Sequence, residues 1–294
     1  MVKRLCFLHC LTPRDFFKAL ASFTAVGVLA STAYIFWLPD VTALKKKNPA
    51  VTSCMLIKER QAAATGKKLG RDFVWTDWDY ISENLKHAVL VAEDDTFYRH
   101  KGVEWTSMRL ALKADWKTKS LAKGGSTITQ QVAKNLYLSP SKNPLRKVKE
   151  ILIAKKLERA LSKRRIFEIY LNIAEWGKGI YGAQAAAQAY FGKNASELTP
   201  EEAAALAAVL PSPRRYSPTK GTRFMEKRKS QIIGRMRASG YLPDEAEEAD
   251  LDETLETITA STYTIVQPQD SANSVLTGRP DAIGTSTGTD TSGE

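Results

Sequence analysis

The sequence predicts a mainly α-helical protein with one N-terminal transmembrane helix. Apolar residues recur at helical spacing in several segments, whereas the alternating pattern of a half-buried strand is scarce. Pro211 and Pro213 directly follow an alanine-rich segment and mark where one of these helices ends. A single uncharged run of twenty residues near the N-terminus is long enough to cross a bilayer.

Composition and charge restrict the class of protein. Hydrophobic residues make up 43% of the 294 residues and charged residues 26%, which excludes a wholly disordered chain and a multi-span membrane protein. The net charge is +11, but twelve acids and one base after Pro243 give that tail −11 and leave residues 1–243 with +22. A body this basic is expected to meet an anionic partner. The three cysteines fit neither a disulfide scaffold nor a zinc site.

Residues 19–38 carry no charge and form the predicted transmembrane anchor. A helix of this length covers about 30 Å, the hydrocarbon thickness of a bilayer. A cleaved signal peptide is the alternative, since it also combines a basic start with an apolar run. Around the anchor the chain divides into a basic tail (1–18), a juxtamembrane connector (39–79), a folded body (80–243) and an acidic tail (244–294) whose composition predicts disorder.

Several segments of the body predict helices. Residues 84–93 place apolar side chains on one stripe, and Leu145–Ser162 is amphipathic, with Val148 expected in the core. The segment 166–173 is aromatic and aliphatic, and we expect it to be buried. Thr199 begins the next helix with the sequence of a capping box.

Two acids, Glu93 and Asp94, end the first of these helices. A carboxylate that emerges from apolar surroundings has its charged form disfavoured, so its pKa rises and suits it to general acid or base catalysis. The alternative is an ordinary solvated helix end.

A second polar segment, Lys123–Asn135, has two glycines after its first lysine, followed by hydroxyl and amide side chains and a second lysine. A helix that starts at about Ser126 would point its positive end and these donors at an anion, such as a phosphate. The order of residues is not that of a P-loop. The alternative is a polar, capped helix without a ligand.

Arg146 and Glu150 are one helical turn apart in a strongly basic segment. The surrounding bases should keep Glu150 ionised. The alternative is a surface ion pair that contributes a few tenths of a kcal/mol.

Together these segments resemble the peptidoglycan glycosyltransferase family. The motifs of that family are matched in order: ED-x-x-F-x-x-H-x-G at 93–102, G-x-S-T-I-T-Q-Q-x-x-K-N at 124–135, R-K-x-x-E at 146–150, Y-L-N through Y-F-G-K at 170–193, and E-A-A-x-L-A with a later proline at 202–213. No S-x-x-K motif with a K-T-G partner accompanies them, so the chain resembles the monofunctional biosynthetic branch that lacks a transpeptidase half.

The resemblance implies a lysozyme-like helical large lobe with a small membrane-facing lobe, in which residues 80–243 form the glycosyltransferase domain. The implied reaction polymerises lipid II into glycan strands. A glycan linked to a polyprenyl diphosphate is transferred, with inversion, to the 4-hydroxyl of an acceptor lipid II.

The resemblance also implies roles for individual residues. Glu93 is expected to be the general base and Glu150 the second catalytic carboxylate. Residues of the same motifs are expected to contact substrate: Asp94, Phe97, His100, Ser126, Thr127, Gln130, Gln131, Lys134, Asn135, Arg146 and Lys149. Their cations would offset the charge of the departing diphosphate. A divalent cation, Mg²⁺ or Mn²⁺, is an optional cofactor with Glu150 as its expected ligand.

The expected partners are lipid II, the growing glycan strand, the membrane and other cell-wall synthesis proteins, and not nucleic acid. The expected location is the bacterial inner (cytoplasmic) membrane, with one span and a periplasmic catalytic domain. Two other functions stay open at this point. A lytic, lysozyme-like hydrolase also uses acids in a helical fold, and a membrane-tethered scaffold could bind anions through the basic body.

Overall fold

The computed structural model describes residues 13–110, 125–141 and 143–244, together with Ile258. It confirms a mainly α-helical protein. The labelled helices are α1 (Pro13–Phe36), α2 (Ser53–Ala64), α3 (Glu83–Glu93), α4 (Ile128–Tyr137), α5 (Pro144–Ala160), α6 (Lys163–Ile173), α7 (Ala183–Phe191), α8 (Pro200–Val209) and α9 (Arg223–Ala238). Most of the predicted basic tail and nearly all of the predicted disordered tail lie outside the described residues.

The predicted membrane anchor corresponds to α1. Its segment Phe16–Phe36 has a mean hydropathy of 1.7 and is not buried by the rest of the protein. The helix ends at Phe36, two residues before the predicted boundary of the anchor at Leu38. Its C-terminal part packs against α5, where Lys149 Nζ lies 4.1 Å from the centre of the Tyr34 ring.

The core of the body lies between two groups of helices. α3 packs against α8 and α9, and α4 packs against α5 and α6. The predicted capping box begins α8, where Thr199 and Glu202 each bond to the other's backbone N–H. The segment 166–173 is buried almost throughout, as expected.

One expectation about α5 is wrong. Val148 was expected in the core, but 45% of its surface is exposed. The side chains that this helix buries are Glu150, Ile153, Ala154 and Leu157. The register differs because Glu150 is buried and held by ion pairs with Arg146 and Lys147, which apolar periodicity does not indicate.

A small sheet joins the connector to the body. β1 (Asp72–Phe73) pairs in parallel with β3 (Ile180–Tyr181), and β3 pairs in antiparallel fashion with β2 (Glu175–Gly177). The β2–β3 hairpin is the tight connection between α6 and α7. Gly182 ends it with a φ of +88°, and a Cβ there would lie 2.8 Å from the backbone oxygen of Asn172.

The buried side chain of Asn172 stabilises this connection by hydrogen bonds to the backbone. Its side chain is fully buried, accepts a 2.8 Å hydrogen bond from the Thr76 N–H, and donates to the carbonyl oxygens of Thr76 and Glu168 at 2.8 and 2.9 Å. One amide therefore satisfies both backbone groups of a buried residue nearly a hundred positions earlier in the chain.

We expect Asn172→Ala to lower the free energy of unfolding by about 2–4 kcal/mol, because it leaves two buried backbone groups of Thr76 without partners. Denaturant unfolding in detergent measures the change. Gln188→Ala, which removes an exposed amide side chain, serves as the control and should stay within about 0.5 kcal/mol of the parent. Equal stability of the two variants would contradict this role for Asn172.

Candidate active site

A groove of about 760 Å³ opens where the C-terminal end of α3 meets the start of α4. Its remaining walls come from residues 104–107, from the loop after α8 and from α9. The charged and polar residues that line it are Glu93, Asp94, Asp95, Thr96, Glu104, Ser107, Ser126, Thr127, Gln131, Lys134, Ser212, Arg215, Tyr216, Arg228 and Arg235.

Glu93 is the last residue of α3, and its carboxylate is held from two sides. Gln131 Nε2 on α4 donates a 2.8 Å hydrogen bond to Oε2, and a guanidinium nitrogen of Arg228 on α9 lies 3.8 Å from Oε1. Only 13% of the side chain is exposed. Burial raises the pKa of Glu93, while the bond from Gln131 and the charges of Arg228 and Lys134 oppose that rise. A carboxylate in these surroundings can accept a proton near neutral pH.

Asp94 also lines the groove, and its carboxylate joins two motifs. Its Oδ2 accepts a 2.9 Å hydrogen bond from the backbone N–H of Ile128, the first residue of α4. His100 Nε2 lies 3.0 Å from both carboxylate oxygens. A carboxylate at a helix N-terminus is favoured by the helix dipole. Asp94 and His100 therefore fix the start of α4 against the end of α3.

The second motif begins its helix later than predicted. α4 starts at Ile128, and Thr127 is its N-cap rather than part of the helix. Thr127 and Gln130 form a capping box, and the Thr127 hydroxyl donates a 2.7 Å bond to the carbonyl of Gly102. Gln130 is fully buried. These two side chains hold the helix in place, and Gln131 and Lys134 are the members of α4 that line the groove.

Glu150 is not a surface residue, because only 2% of it is exposed. Arg146 donates a 2.6 Å bond to its Oε2, and Lys147 donates to its Oε1. Lys147 also donates a 2.9 Å bond to the hydroxyl of Ser126 at the groove. The Glu150 carboxylate thus holds two cations in position in the first two turns of α5.

Lys134 connects the two carboxylates electrostatically. Burial lowers the pKa of its ammonium group, and the charge of Glu150 opposes that effect. The charge of Lys134 in turn lowers the pKa of Glu93. Its ammonium group faces the groove and has no hydrogen-bond partner among the residues that the structure describes.

Six of the eleven predicted substrate contacts are not among the residues that line the groove: Phe97, His100, Gln130, Asn135, Arg146 and Lys149. Phe97 is fully buried and packs against Phe167, with 5.6 Å between the ring centres. Lys149 contacts Tyr34 of the anchor. Asn135 is half-buried and does not line the groove.

The prediction that Glu150 binds a divalent cation has a poor chemical fit. Each of its carboxylate oxygens already accepts a hydrogen bond from a cationic side chain. Within the described ranges no three acids, histidines or cysteines cluster as a metal site would need. We therefore assign no step of the chemistry to a metal ion.

Arginines that were not predicted from the sequence form one wall of the groove: Arg215, Arg228 and Arg235. Arg235 donates a 2.9 Å bond to the carbonyl of Val91 and ties α9 to α3. Tyr216 and Phe224 stack beside these arginines with 4.4 Å between ring centres. In the sequence, only the basic composition of residues 223–237 indicated such a wall. A basic stretch of a helix more often forms a solvent-exposed face than a binding site.

The raised pKa of Glu93 predicts a cost to stability. The folded protein holds this proton more tightly than the unfolded chain, so stability falls as pH rises from the ordinary glutamate pKa through the raised value. Glu93→Gln lacks the buried charge. We expect its Tm to exceed that of the parent at pH 8 by on the order of a few degrees, and the difference to vanish near pH 4.

Thermal melts of both proteins at the two pH values measure this effect. Glu201→Gln, at an exposed acid, controls for the general loss of a negative charge. A Glu93→Gln variant that is less stable than the parent at pH 8 would show that the ionised carboxylate is favoured in the fold, contrary to this account.

Comparison with known proteins agrees with the motifs and the groove. A family model described as Transglycosylase matches residues 60–237. The biosynthetic peptidoglycan transglycosylase of Alcanivorax borkumensis is 44% identical over 230 residues, which cover 78% of this chain and 91% of that protein. The protein of the same name from Chromobacterium violaceum is 40% identical over 231 residues, covering 78% and 99%. The chain therefore belongs to the transglycosylase family.

Proposed function

We propose that this protein is a peptidoglycan glycosyltransferase that polymerises lipid II into linear glycan strands. The observation that carries the proposal is a buried carboxylate with a raised pKa, Glu93, in the same groove as an uncommitted ammonium group, Lys134. One group can take a proton and the other can receive an anion. This pair is what the transfer of a diphosphate-linked sugar to a hydroxyl requires.

The reaction is a single displacement at the anomeric carbon of the donor. Glu93 removes the proton of the acceptor's 4-hydroxyl as its oxygen bonds to the donor C1. The bond from C1 to the diphosphate oxygen breaks at the same time, and the polyprenyl diphosphate leaves. The attacking oxygen enters opposite the leaving group, so the configuration inverts and a β-1,4 linkage results.

Lys134 faces the groove where negative charge develops on the leaving diphosphate. Lys147 and Ser126 are linked by a hydrogen bond at the edge of this wall, and Glu150 holds Lys147 and Arg146 in place. Fixed positive groups of this kind stabilise a charged transition state without reorganising. In this proposal Glu150 acts through the cations that it orients.

The lipid tail of the substrate gives the anchor a role. Exposing a polyprenyl chain to water costs about 0.8 kcal/mol per CH₂ group, so the groove must meet the substrate at the membrane surface. α1 is long and apolar enough to span the membrane, and it contacts α5, the helix that carries Arg146 and Glu150. We place the protein in the bacterial inner membrane with the catalytic body on the periplasmic side.

Incubation of the purified protein with labelled lipid II tests the reaction class. Lengthening of glycan supports the polymerase. Shortening of preformed glycan without any lengthening would instead assign a lytic hydrolase.

We expect Glu93→Gln to lower the rate of polymerisation by about 10²–10⁴-fold, the usual contribution of a general base. The exposed acid variant Glu201→Gln should retain the parent rate. Polymerisation at the parent rate by Glu93→Gln would exclude Glu93 as the base.

Gln131→Ala should move the acid limb of the pH–rate profile to higher pH. The hydrogen bond from Gln131 lowers the pKa of Glu93, so its removal lets the pKa rise further and protonates the base at higher pH. The maximum rate at alkaline pH should change less than the rate at acidic pH. Gln188→Ala, at an exposed glutamine, is the control. An unmoved acid limb would show that this limb does not report Glu93.

A further inference from the structure

A second cavity, of about 360 Å³, borders the same loop after α8 that lines the groove. Ser212 and Arg215 line both spaces, so this loop is their common wall. None of the roles assigned above uses the cavity. The residues that line it are Lys58, Gln61, Pro140, Glu175, Ser212, Pro213, Arg214 and Arg215.

Glu175 on β2 carries the only carboxylate among the described residues that line this cavity. Its side chain is 7% exposed and lies between two cations. Lys58 donates to Oε2, and the Nε of Arg214 donates a 2.9 Å hydrogen bond to Oε1. Both carboxylate oxygens therefore already have a charged partner.

Positive charge and hydrogen-bond donors exceed what this one carboxylate can offset. Lys58, Arg214 and Arg215 bring three positive charges to the cavity, and Glu175 offsets one of them. Lys58 Nζ also lies 5.9 Å from the centre of the Tyr181 ring. The Tyr181 hydroxyl is buried and donates to no acceptor among the described residues. The cavity therefore favours an anionic ligand that accepts hydrogen bonds.

The rest of the cavity wall is apolar, which restricts the kind of anion. Pro140 and Pro213 line it together with the alkyl stem of Lys58. An inorganic phosphate would leave this surface in water, and the volume lies within the roughly 300–1,000 Å³ of small-molecule sites. A peptide segment with a free carboxylate supplies both a charge and apolar contact.

The cavity adjoins the part of the groove that holds Lys134. The helix that carries Lys58, α2, packs against α4, which carries Lys134. Cys54, one turn before Lys58, is close enough to act on the pKa of Lys134. A peptide of three residues spans about 10 Å. Such a peptide on a sugar next to the leaving diphosphate can reach the cavity across the shared loop.

We propose that this cavity binds a free carboxylate of the peptide on the donor strand, and that Arg214 pairs with it. This inference rests on the proposed function, because peptidoglycan is a glycan whose sugars carry short peptides. The Nε of Arg214 serves Glu175, and its guanidinium has two further nitrogens for a second carboxylate. The side chain is 44% exposed, so a ligand can reach it.

The cavity lies outside the groove that contains the reacting groups, which determines its kinetic effect. A contact with the peptide is the same before and during the transfer of the sugar. Binding of this uniform kind lowers the KM for the donor and leaves kcat unchanged. The cavity therefore selects a donor that carries a peptide with a free carboxylate.

A binding experiment tests the site without turnover. The ligand is lipid II with a blocked 4-hydroxyl, which cannot act as acceptor, and its peptide carboxylates are either free or converted to amides. The full-length protein in detergent at about 0.15 M salt should bind the free form about tenfold more tightly than the amidated form. Arg214→Gln should abolish this difference. Arg223→Gln, at an exposed arginine on α9, is the matched control and should keep it.

A second variant separates ligand binding from a structural role of the ion pair. Arg214→Gln and Glu175→Gln both break the same pair, so a purely structural role predicts that both weaken donor binding alike. A carboxylate site predicts opposite effects. Loss of the Glu175 charge leaves the cavity more positive, so Glu175→Gln should lower the KM for the free-carboxylate donor, whereas Arg214→Gln should raise it about tenfold. Neither variant should change the KM for the amidated donor.

The outcomes distinguish this inference from the proposed function. Equal affinity of the parent protein for the free and amidated donors refutes the inference and leaves the proposed function intact. Effects of the same sign in Arg214→Gln and Glu175→Gln, or a change confined to kcat, also refute the inference. A parent protein that lengthens no glycan from natural lipid II would refute the proposed function instead.

Discussion

The burial of one carboxylate, Glu93, is the constraint on which the rest of the site depends. A base of useful strength needs a dry position, and an ionised carboxylate in a dry position needs donors nearby. Gln131 and Arg228 supply these from two helices that are far apart in sequence. The contact of Asp94 with the first N–H of α4 serves the same end, because it fixes where Gln131 lies.

The charges of the groove fall into those that hold the structure and those that are free for a ligand. Glu150 forms ion pairs with Arg146 and Lys147; its carboxylate is buried, while 35% of the Lys147 side chain stays exposed. Such a group is costly to desolvate, and it is retained here where it orders the edge of the groove. Among the described residues Lys134 has no ion pair or hydrogen bond, and Arg228 faces only Glu93 at 3.8 Å, so an anionic substrate would complete the site.

The sequence predicted the helical class, the anchor and the helix that begins after Thr199, because periodicity, hydropathy and capping are local signals. Glu93 and Lys134 could be named from their motifs, but Phe97 could not be distinguished as a core residue by the same means. Val148 was misplaced because a buried ion group reversed the expected face of α5. Arg228 was missed since its importance arises only from the packing of α9 against α3.

The proton affinity of Glu93 is the quantity that tests this account most directly. Carbon-13 NMR of selectively labelled glutamate carboxyls, with Glu93→Gln to identify the resonance, follows its titration in the detergent-solubilised protein. We expect a midpoint above 4.5, the ordinary pKa of a glutamate carboxyl. A midpoint at or below that value would show a carboxylate that the fold keeps ionised, too weak a base for the role assigned to it.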